Sequence, residues 1–220
     1  MCFEKNVEIF EDVYQNDELT VTRILYKPYE HNCYIVADKK TNECIVIDPG
    51  MQTGEVIEYV KGHNCNVRAG FLTHNHSDHS SGVSQLQTEC HAPILIHEKQ
   101  PETGKTSLGT DLGSAKYELV DENTVLKLGN IEFKVLCTPE HSSKGICLYS
   151  GIHLVFTGDV LFRESIGRTD LEGSDSDEMV NSLTKIFKLF DEEYVVFPGH
   201  GDETTIKYEV ENNQFIQDVL

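Results

Sequence analysis

The feature that most constrains this 220-residue chain is a set of five histidines and two aspartates gathered in four short stretches. Three of the histidines and one aspartate fall within six residues, in the stretch THNHSDHSSG, and CTPEHSSKG, FTGDVLF and FPGHGDETT add one residue each. The seven residues are His74, His76, Asp78, His79, His141, Asp159 and His200. Imidazole nitrogens with a few carboxylate oxygens and no thiolate suit Zn²⁺, Fe or Mn²⁺ in a reactive site rather than a structural one.

The stretches follow segments that predict strands. The apolar run 67–73 predicts a buried strand, and the histidine cluster begins where that run ends. Residues 194–198 predict another buried strand, which ends just before His200. Strand ends hold side chains rigidly while the loops that follow stay open to substrate, so this placement is typical of a working site.

The rest of the chain predicts an alternation of short strands and helices. Runs rich in β-branched or aromatic residues predict an opening sheet with strands at 7–13, 19–26, 33–37 and 44–47. Apolar residues at helical spacing predict helices at 53–60, 80–88 and 175–190, the last capped by Ser174 or Ser176. Hairpin turns are predicted at Gly129-Asn130 and at Gly151, and the polar segment 104–115 predicts a mobile rim.

Charge and cysteine usage restrict the partners and the compartment. The formal net charge of −19 repels phosphate backbones and acidic membrane surfaces, so we expect neither nucleic acid nor membrane as a partner. Seven cysteines without a C-x-x-C pair predict reduced thiols, mostly buried. With no apolar run long enough for a membrane span and no basic, apolar leader, these features predict a cytoplasmic protein.

The stretch HNHSDH resembles the H-x-H-x-D-H signature of the metallo-β-lactamase superfamily, and His141, Asp159 and His200 match the ligands that follow in that family. The stretches NCYIV, IVIDPG, SIGRTDLEG and FPGHGDETT are similar to those of small glyoxalase II-like hydrolases. The resemblance implies an α/β fold, an αββα sandwich of two mixed β-sheets flanked by helices. We expect a single domain over residues 1–220, without the C-terminal glutathione-binding helical domain of two-domain glyoxalase II enzymes.

By that resemblance the ligands would hold two divalent ions, zinc first, with iron or manganese as alternatives. His74, His76 and His141 would bind one ion, and Asp78, His79 and His200 the other. Asp159 would bridge them, and we expect Asp78 and Asp159 to be the catalytic carboxylates. The five remaining histidines match no ligand position and are treated as ordinary residues: His31, His63, His91, His97 and His153.

Three further residues are candidates for supporting roles. Asp48, in IVIDPG, would orient a ligating histidine from behind. Arg168 lies where larger glyoxalase II enzymes carry a substrate-contacting lysine, so it and Lys144 are candidates for substrate binding. On spacing alone, Arg168 could equally form an ion pair with Asp170 or Glu172.

The leading functional hypothesis is a dinuclear hydrolase of acylated thiols, acting on a small thioester such as S-lactoylglutathione. Two ions that share a water lower the pKa of that water toward about 7, and a thiolate leaves without help from a general acid. A mononuclear iron persulfide dioxygenase is the first alternative, because such enzymes keep a similar H-x-H-x-D-H stretch and a GRTD motif. A non-catalytic metal-binding module is the second alternative.

Overall fold

The computed structural model of the chain describes residues 6–98, 115–139, 145–170 and 175–217. In these ranges two mixed β-sheets pack face to face and carry helices on their outer faces. The predicted αββα sandwich is thereby confirmed. None of the helices in the described part of the chain has the length and hydropathy needed to cross a bilayer.

The first sheet follows chain order. Its strands in the described residues are β1 (Val7–Gln15), β2 (Leu19–Tyr26), β3 (His31–Asp38), β4 (Glu43–Ile47), β5 (Asn66–Phe71), β6 (Ile94–His97) and β7 (Tyr117–Val120). The strands from β1 to β4 are antiparallel, and those from β4 to β7 are parallel. Parallel neighbours need crossover connections, which α1 (Thr53–Gly62) and α3 (Val83–Cys90) provide on either side of β5.

The second sheet is built mainly from hairpins. Its strands are β8 (Val125–Leu128), β9 (Ile131–Cys137), β10 (Ile146–Ser150), β11 (Leu154–Gly158), β14 (Val195–Pro198) and β15 (Thr204–Thr205). β11 and β14 are parallel, and the crossover between them contains the small hairpin β12 (Leu161–Phe162) with β13 (Ser165–Ile166) and the helix α4 (Ser176–Leu189). The helix α5 (Ile206–Asn212) and a 3₁₀ turn (Gln214–Ile216) follow β15.

Buried apolar side chains explain the layering. Between the sheets, Tyr34 of the first packs against Phe156 and Phe197 of the second, with ring centroids 5.5 Å apart in both pairs. The outer face of the first sheet is covered by α1 and α3, and that of the second by α4 and α5. Each sheet therefore buries both faces, which fixes the strand ends at one edge relative to each other.

Most predicted elements are confirmed, and the differences have local causes. The strand 19–26 and both hairpin turns lie where they were predicted. Asp175 caps α4 instead of a serine, because its carboxylate accepts hydrogen bonds from the backbone amides of Asp177 and Glu178. The helix predicted at 80–88 is divided into α2 (Ser77–Ser80) and α3. The predicted rim 104–115 lies outside the described residues except for Ala115.

Candidate metal centre

Six of the seven predicted ligands converge at one edge of the sandwich. They follow the carboxyl ends of three strands: His74 and His76 follow β5, Asp159 follows β11 and His200 follows β14, while Asp78 and His79 lie in the short α2. The seventh ligand, His141, lies outside the described residues, as does Lys144. The two sheets thus bring together residues that are more than a hundred positions apart in the sequence.

The converging side chains form two groups. His74, His76 and Asp159 have ligand atoms that all lie within 4.8 Å of one another, and so do Asp78, His79 and His200. Asp159 reaches both groups, since its carboxylate lies 3.8 Å from Nε2 of His74, 3.4 Å from Nε2 of His79 and 3.6 Å from Nε2 of His200. A shared carboxylate between two nitrogen-rich groups is the donor arrangement of a dinuclear site.

Ring nitrogens face one another at the centre of each group. Nε2 of His74 lies 3.1 Å from Nδ1 of His76, and the Nε2 atoms of His79 and His200 are 3.3 Å apart. Two imidazole nitrogens at such a separation repel each other unless a proton or a cation lies between them. This set of donors, three of them buried and three half-buried, therefore fits divalent cations.

The protonation of the site points the same way. Burial lowers the pKa of His79, but the carboxylates of Asp159 and Asp48 outweigh burial and hold that pKa well above its ordinary value. Burial favours the neutral form of Asp159, yet His79 and His200 hold its pKa well below the usual range. The carboxylate of Asp159 thus stays ionised and His79 retains its proton, whereas burial and the neighbouring His79 hold the pKa of His74 well below its ordinary value. Divalent cations would supply the same positive charge and release that proton.

A second set of contacts fixes the tautomers of the ligands. The Nδ1 of His79 donates to Oδ2 of Asp48 at 2.9 Å, and Thr73 Oγ1 links the same carboxylate oxygen, at 2.7 Å, to Nδ1 of His74 at 3.1 Å. Nδ1 of His200 donates to the carbonyl oxygen of Tyr29 at 2.9 Å. Each of these rings therefore presents Nε2 to the centre. Asp48, predicted to orient a ligating histidine, thus binds the ring of His79, and its role toward a metal ligand stays a prediction.

Gly199 allows the two groups to approach. A Cβ built at this position would lie 2.4 Å from Oδ1 of Asp159 and 2.6 Å from Cε1 of His79. Both distances are too short for any side chain. The glycine before His200 is thus required by the close approach of two ligands, and it does more than mark a loop.

Comparison with known proteins agrees with this geometry. Residues 26–200 match the family model of the metallo-β-lactamase superfamily. The chain belongs to that superfamily. It is 33% identical to a probable metallo-hydrolase of Streptococcus pyogenes over 89% of this chain and 91% of that protein. It is 31% identical to the hydroxyacylglutathione hydrolase GloC of Haemophilus influenzae over 86% of this chain and 93% of that protein.

Solved structures of the superfamily share the fold. The B3 metallo-β-lactamase BLEG-1 superposes with a TM-score of 0.81 at 29% identity, covering 90% of this chain and 100% of that one. TTHA1623, solved in a di-iron-bound form, superposes with a TM-score of 0.74 at 29% identity, covering 84% and 94%. ETHE1 from Myxococcus xanthus gives 0.74 at 26% identity, covering 87% and 82%. The superfamily fold and the clustered donors imply that this chain binds divalent metal.

The remaining predicted residue, Arg168, is exposed on the surface. Its guanidinium makes a two-pronged contact with Asp170, with Nε 2.9 Å from Oδ1 and Nη2 3.0 Å from Oδ2. The sequence spacing had allowed this ion pair as the alternative to substrate binding. To bind a substrate carboxylate, the guanidinium of Arg168 would have to release Asp170.

Sequence reasoning missed residues that support the ligands from behind. His31 was treated as an ordinary histidine, yet its buried ring lies 4.3 Å from that of His79, centroid to centroid. Thr73, Gln52 and the Tyr29 carbonyl were not singled out either. Ligand spacing could not reveal these contacts, because pairing of β3 with the His200 loop brings distant residues together.

Proposed function

We propose that this chain is a dinuclear metal-dependent hydrolase of acylated thiols. The observation that carries the proposal is the position of Asp159, whose carboxylate contacts both groups of potential ligands. In this proposal His74 and His76, with His141, hold one ion, and Asp78, His79 and His200 hold the other. The carboxylate of Asp159 would be shared by both ions.

Bound in this way, two divalent cations would lower the pKa of a shared water toward about 7 and stabilise negative charge on a carbonyl oxygen. The residues of the chain orient this chemistry. Asp48 directs His79 and, through Thr73, His74. Asp78, held ionised by His200 and His79 despite its burial, is the second carboxylate at the reacting centre.

A thioester is the substrate class that suits these residues. A thiolate leaves readily because the pKa of its thiol is about 8.5, so departure does not need a positioned general acid. The similarity to the hydroxyacylglutathione hydrolase GloC supports a hydroxyacyl thioester such as S-lactoylglutathione. Arg168 and Lys144 are proposed to bind the outer carboxylate of the substrate, and the charge of −19 favours a small molecule over nucleic acid or a membrane surface.

Zinc is the proposed metal, since imidazole and carboxylate donors suit it well. Iron and manganese accept the same donors, and the similarity to a protein solved in a di-iron-bound form supports iron as the alternative. The similarity to ETHE1 keeps a second candidate function, an iron-dependent persulfide dioxygenase. A cytoplasmic location remains part of the proposal.

Metal analysis of two matched variants tests the dinuclear site. Asp159→Asn removes the shared charge, so we expect bound metal to fall from two equivalents per chain to one or fewer, with loss of most thioesterase activity. Asp17→Asn is the control, because that carboxylate is exposed in the turn between β1 and β2 and belongs to none of the groups of candidate metal ligands in the described residues. An Asp159→Asn protein that keeps two tightly bound ions and full turnover would disprove the bridging role.

A further inference from the structure

His31 is a buried polar residue for which the proposed chemistry gives no role. Its side chain is fully buried at the start of β3, and its Nε2 has no hydrogen-bond partner in the part of the chain that the structure describes. A buried donor or acceptor without a partner destabilises the fold. An apolar residue of similar shape would avoid this penalty, so the presence of histidine requires another reason.

Gln52 fixes the orientation of the His31 ring. The side-chain nitrogen of Gln52 lies 3.0 Å from Nδ1 of His31 and 3.1 Å from the carbonyl oxygen of Ile24. The Gln52 oxygen also lies near Nδ1, at 3.3 Å, but only the amide nitrogen can donate to the Ile24 carbonyl. The Gln52 amide thus ties Nδ1 of His31, and Nε2 is the ring nitrogen left without a partner among the described residues.

The ring fixed in this way contacts two proposed ligands of one ion. His31 meets the ring of His79 edge to face, with centroids 4.3 Å apart and an interplanar angle of 70°. The ring of His200 lies 5.7 Å away at the same angle, and the backbones of His31 and His200 form a β-bridge. A nitrogen of His31 also lies within 4.8 Å of ligand atoms of Asp48 and His79.

The segment that carries Gln52 supports the same ligands at other points. Asp48 binds His79, and Gly50 packs so closely on Asp78 that a Cβ there would lie 1.7 Å from the Asp78 carbonyl oxygen. Gln52 adds a third contact through His31. Residues 48–52 thus pack beneath α2, and His31 lies between this segment and the rings of His79 and His200.

We propose that His31, held by Gln52, is a positioning residue for His79 and His200 and sets the metal affinity of their group. This inference rests on the proposed dinuclear site. The unfavourable burial of its Nε2 is retained because the tethered ring holds the two ligand rings in orientation. Hydrogen-bonding partners behind metal ligands change metal affinity by about 10- to 100-fold when they are removed, and we expect the ring contacts of His31 to act at the lower end of that range.

Two measurements on the metal-free protein test the positioning role of His31. One is a Zn²⁺ titration against a fluorescent chelator, and the other is thermal unfolding. His31→Phe keeps a ring and loses the tether, so one of the two stepwise dissociation constants should rise by about tenfold or more. The unfolding temperature of the metal-free variant should change little, since removal of the partnerless Nε2 is offset by loss of the Nδ1 partner of the buried Gln52 amide. Gln52→Leu, which leaves His31 in place, should weaken the same step by a smaller factor.

The control is His63→Phe, the same substitution at a half-exposed ring that stacks on Tyr59 at the end of α1. It should change neither dissociation constant. If His31→Phe lowers the unfolding temperature and leaves both constants as in the wild type, His31 is only a structural residue and the proposal is overturned. If the wild-type protein binds fewer than two ions, the dinuclear proposal is refuted instead. The role of His31 would then still require that His31→Phe weaken the binding of the ion held by His79 and His200.

Discussion

Replacing Gly199 with alanine perturbs the proposed metal centre by one methyl group. The new Cβ would lie 2.4 Å from Oδ1 of Asp159 and 2.6 Å from Cε1 of His79. Ordinary contacts of these atoms begin at about 3.4 Å, so the carboxylate must retreat by about 1.0 Å and the imidazole by about 0.8 Å. The substitution therefore acts on both groups of ligands at once.

Displacements of this size exceed what metal coordination tolerates. Metal–ligand distances in proteins fall within about 0.2 Å of their preferred values, so a shift near 1 Å removes a ligand or forces the centre to rearrange. Misplacement by about 1 Å also costs on the order of 10²-fold in rate where geometry decides catalysis. We expect Gly199→Ala to lower zinc affinity and thioesterase activity by about 100-fold each.

The assay compares Gly199→Ala with Gly62→Ala, whose added Cβ would meet nothing within 4 Å at the end of α1. Metal content after dialysis, zinc titration and turnover should be affected in the first variant and unchanged in the second. If Gly199→Ala retained two ions and wild-type turnover, Asp159 and His79 would not be the crowded ligands of one centre, and the geometric argument would be wrong.

Three further substitutions or treatments have expected outcomes. Asp48→Asn weakens the charge-assisted hydrogen bond to His79, so metal affinity should fall by about 10- to 100-fold, and an unchanged affinity would remove Asp48 from the metal centre. Arg168→Lys keeps the charge but loses the two-pronged hydrogen bonding of the guanidinium, so KM should rise while metal content stays unchanged. An unchanged KM with lower stability would show that Arg168 serves only in the ion pair with Asp170. A hydrogen bond from the Cys44 thiol lowers the pKa of Cys65 to about 7. The alkylation rate of Cys65 should therefore rise with pH and reach half of its plateau near pH 7. Burial raises the pKa of Cys90, so the same pH profile at Cys90 would contradict this prediction.

Much of the fold could be predicted from local sequence, because strands and hairpin turns depend on periodicity and turn residues. β2 begins and ends at the predicted residues, and the turn at Gly129 uses the positive φ that glycine permits. The two-residue strands β12, β13 and β15 are too short for any periodicity to appear. They form because neighbouring backbone is already in place, which is a tertiary effect.

The ligands could be predicted for a different reason from the residues behind them. His74, His76, Asp78 and His79 are close in sequence, so their spacing alone indicates a metal site. His31 belongs to the same centre only because β3 pairs with the loop that carries His200. No local pattern records that contact, since it depends on how the two sheets meet.

The central claim, hydrolysis of an acylated thiol at a two-metal site, is tested most directly by measuring thiol release without oxygen. Protein loaded with two equivalents of zinc is mixed anaerobically with S-lactoylglutathione and other hydroxyacyl thioesters, and free thiol is followed against a metal-free control. The account predicts one thiol released per thioester consumed, and no oxygen uptake when glutathione persulfide is supplied in air to zinc- or iron-loaded protein. Absence of thiol release, together with one oxygen molecule consumed per persulfide by a protein that holds a single iron, would contradict it.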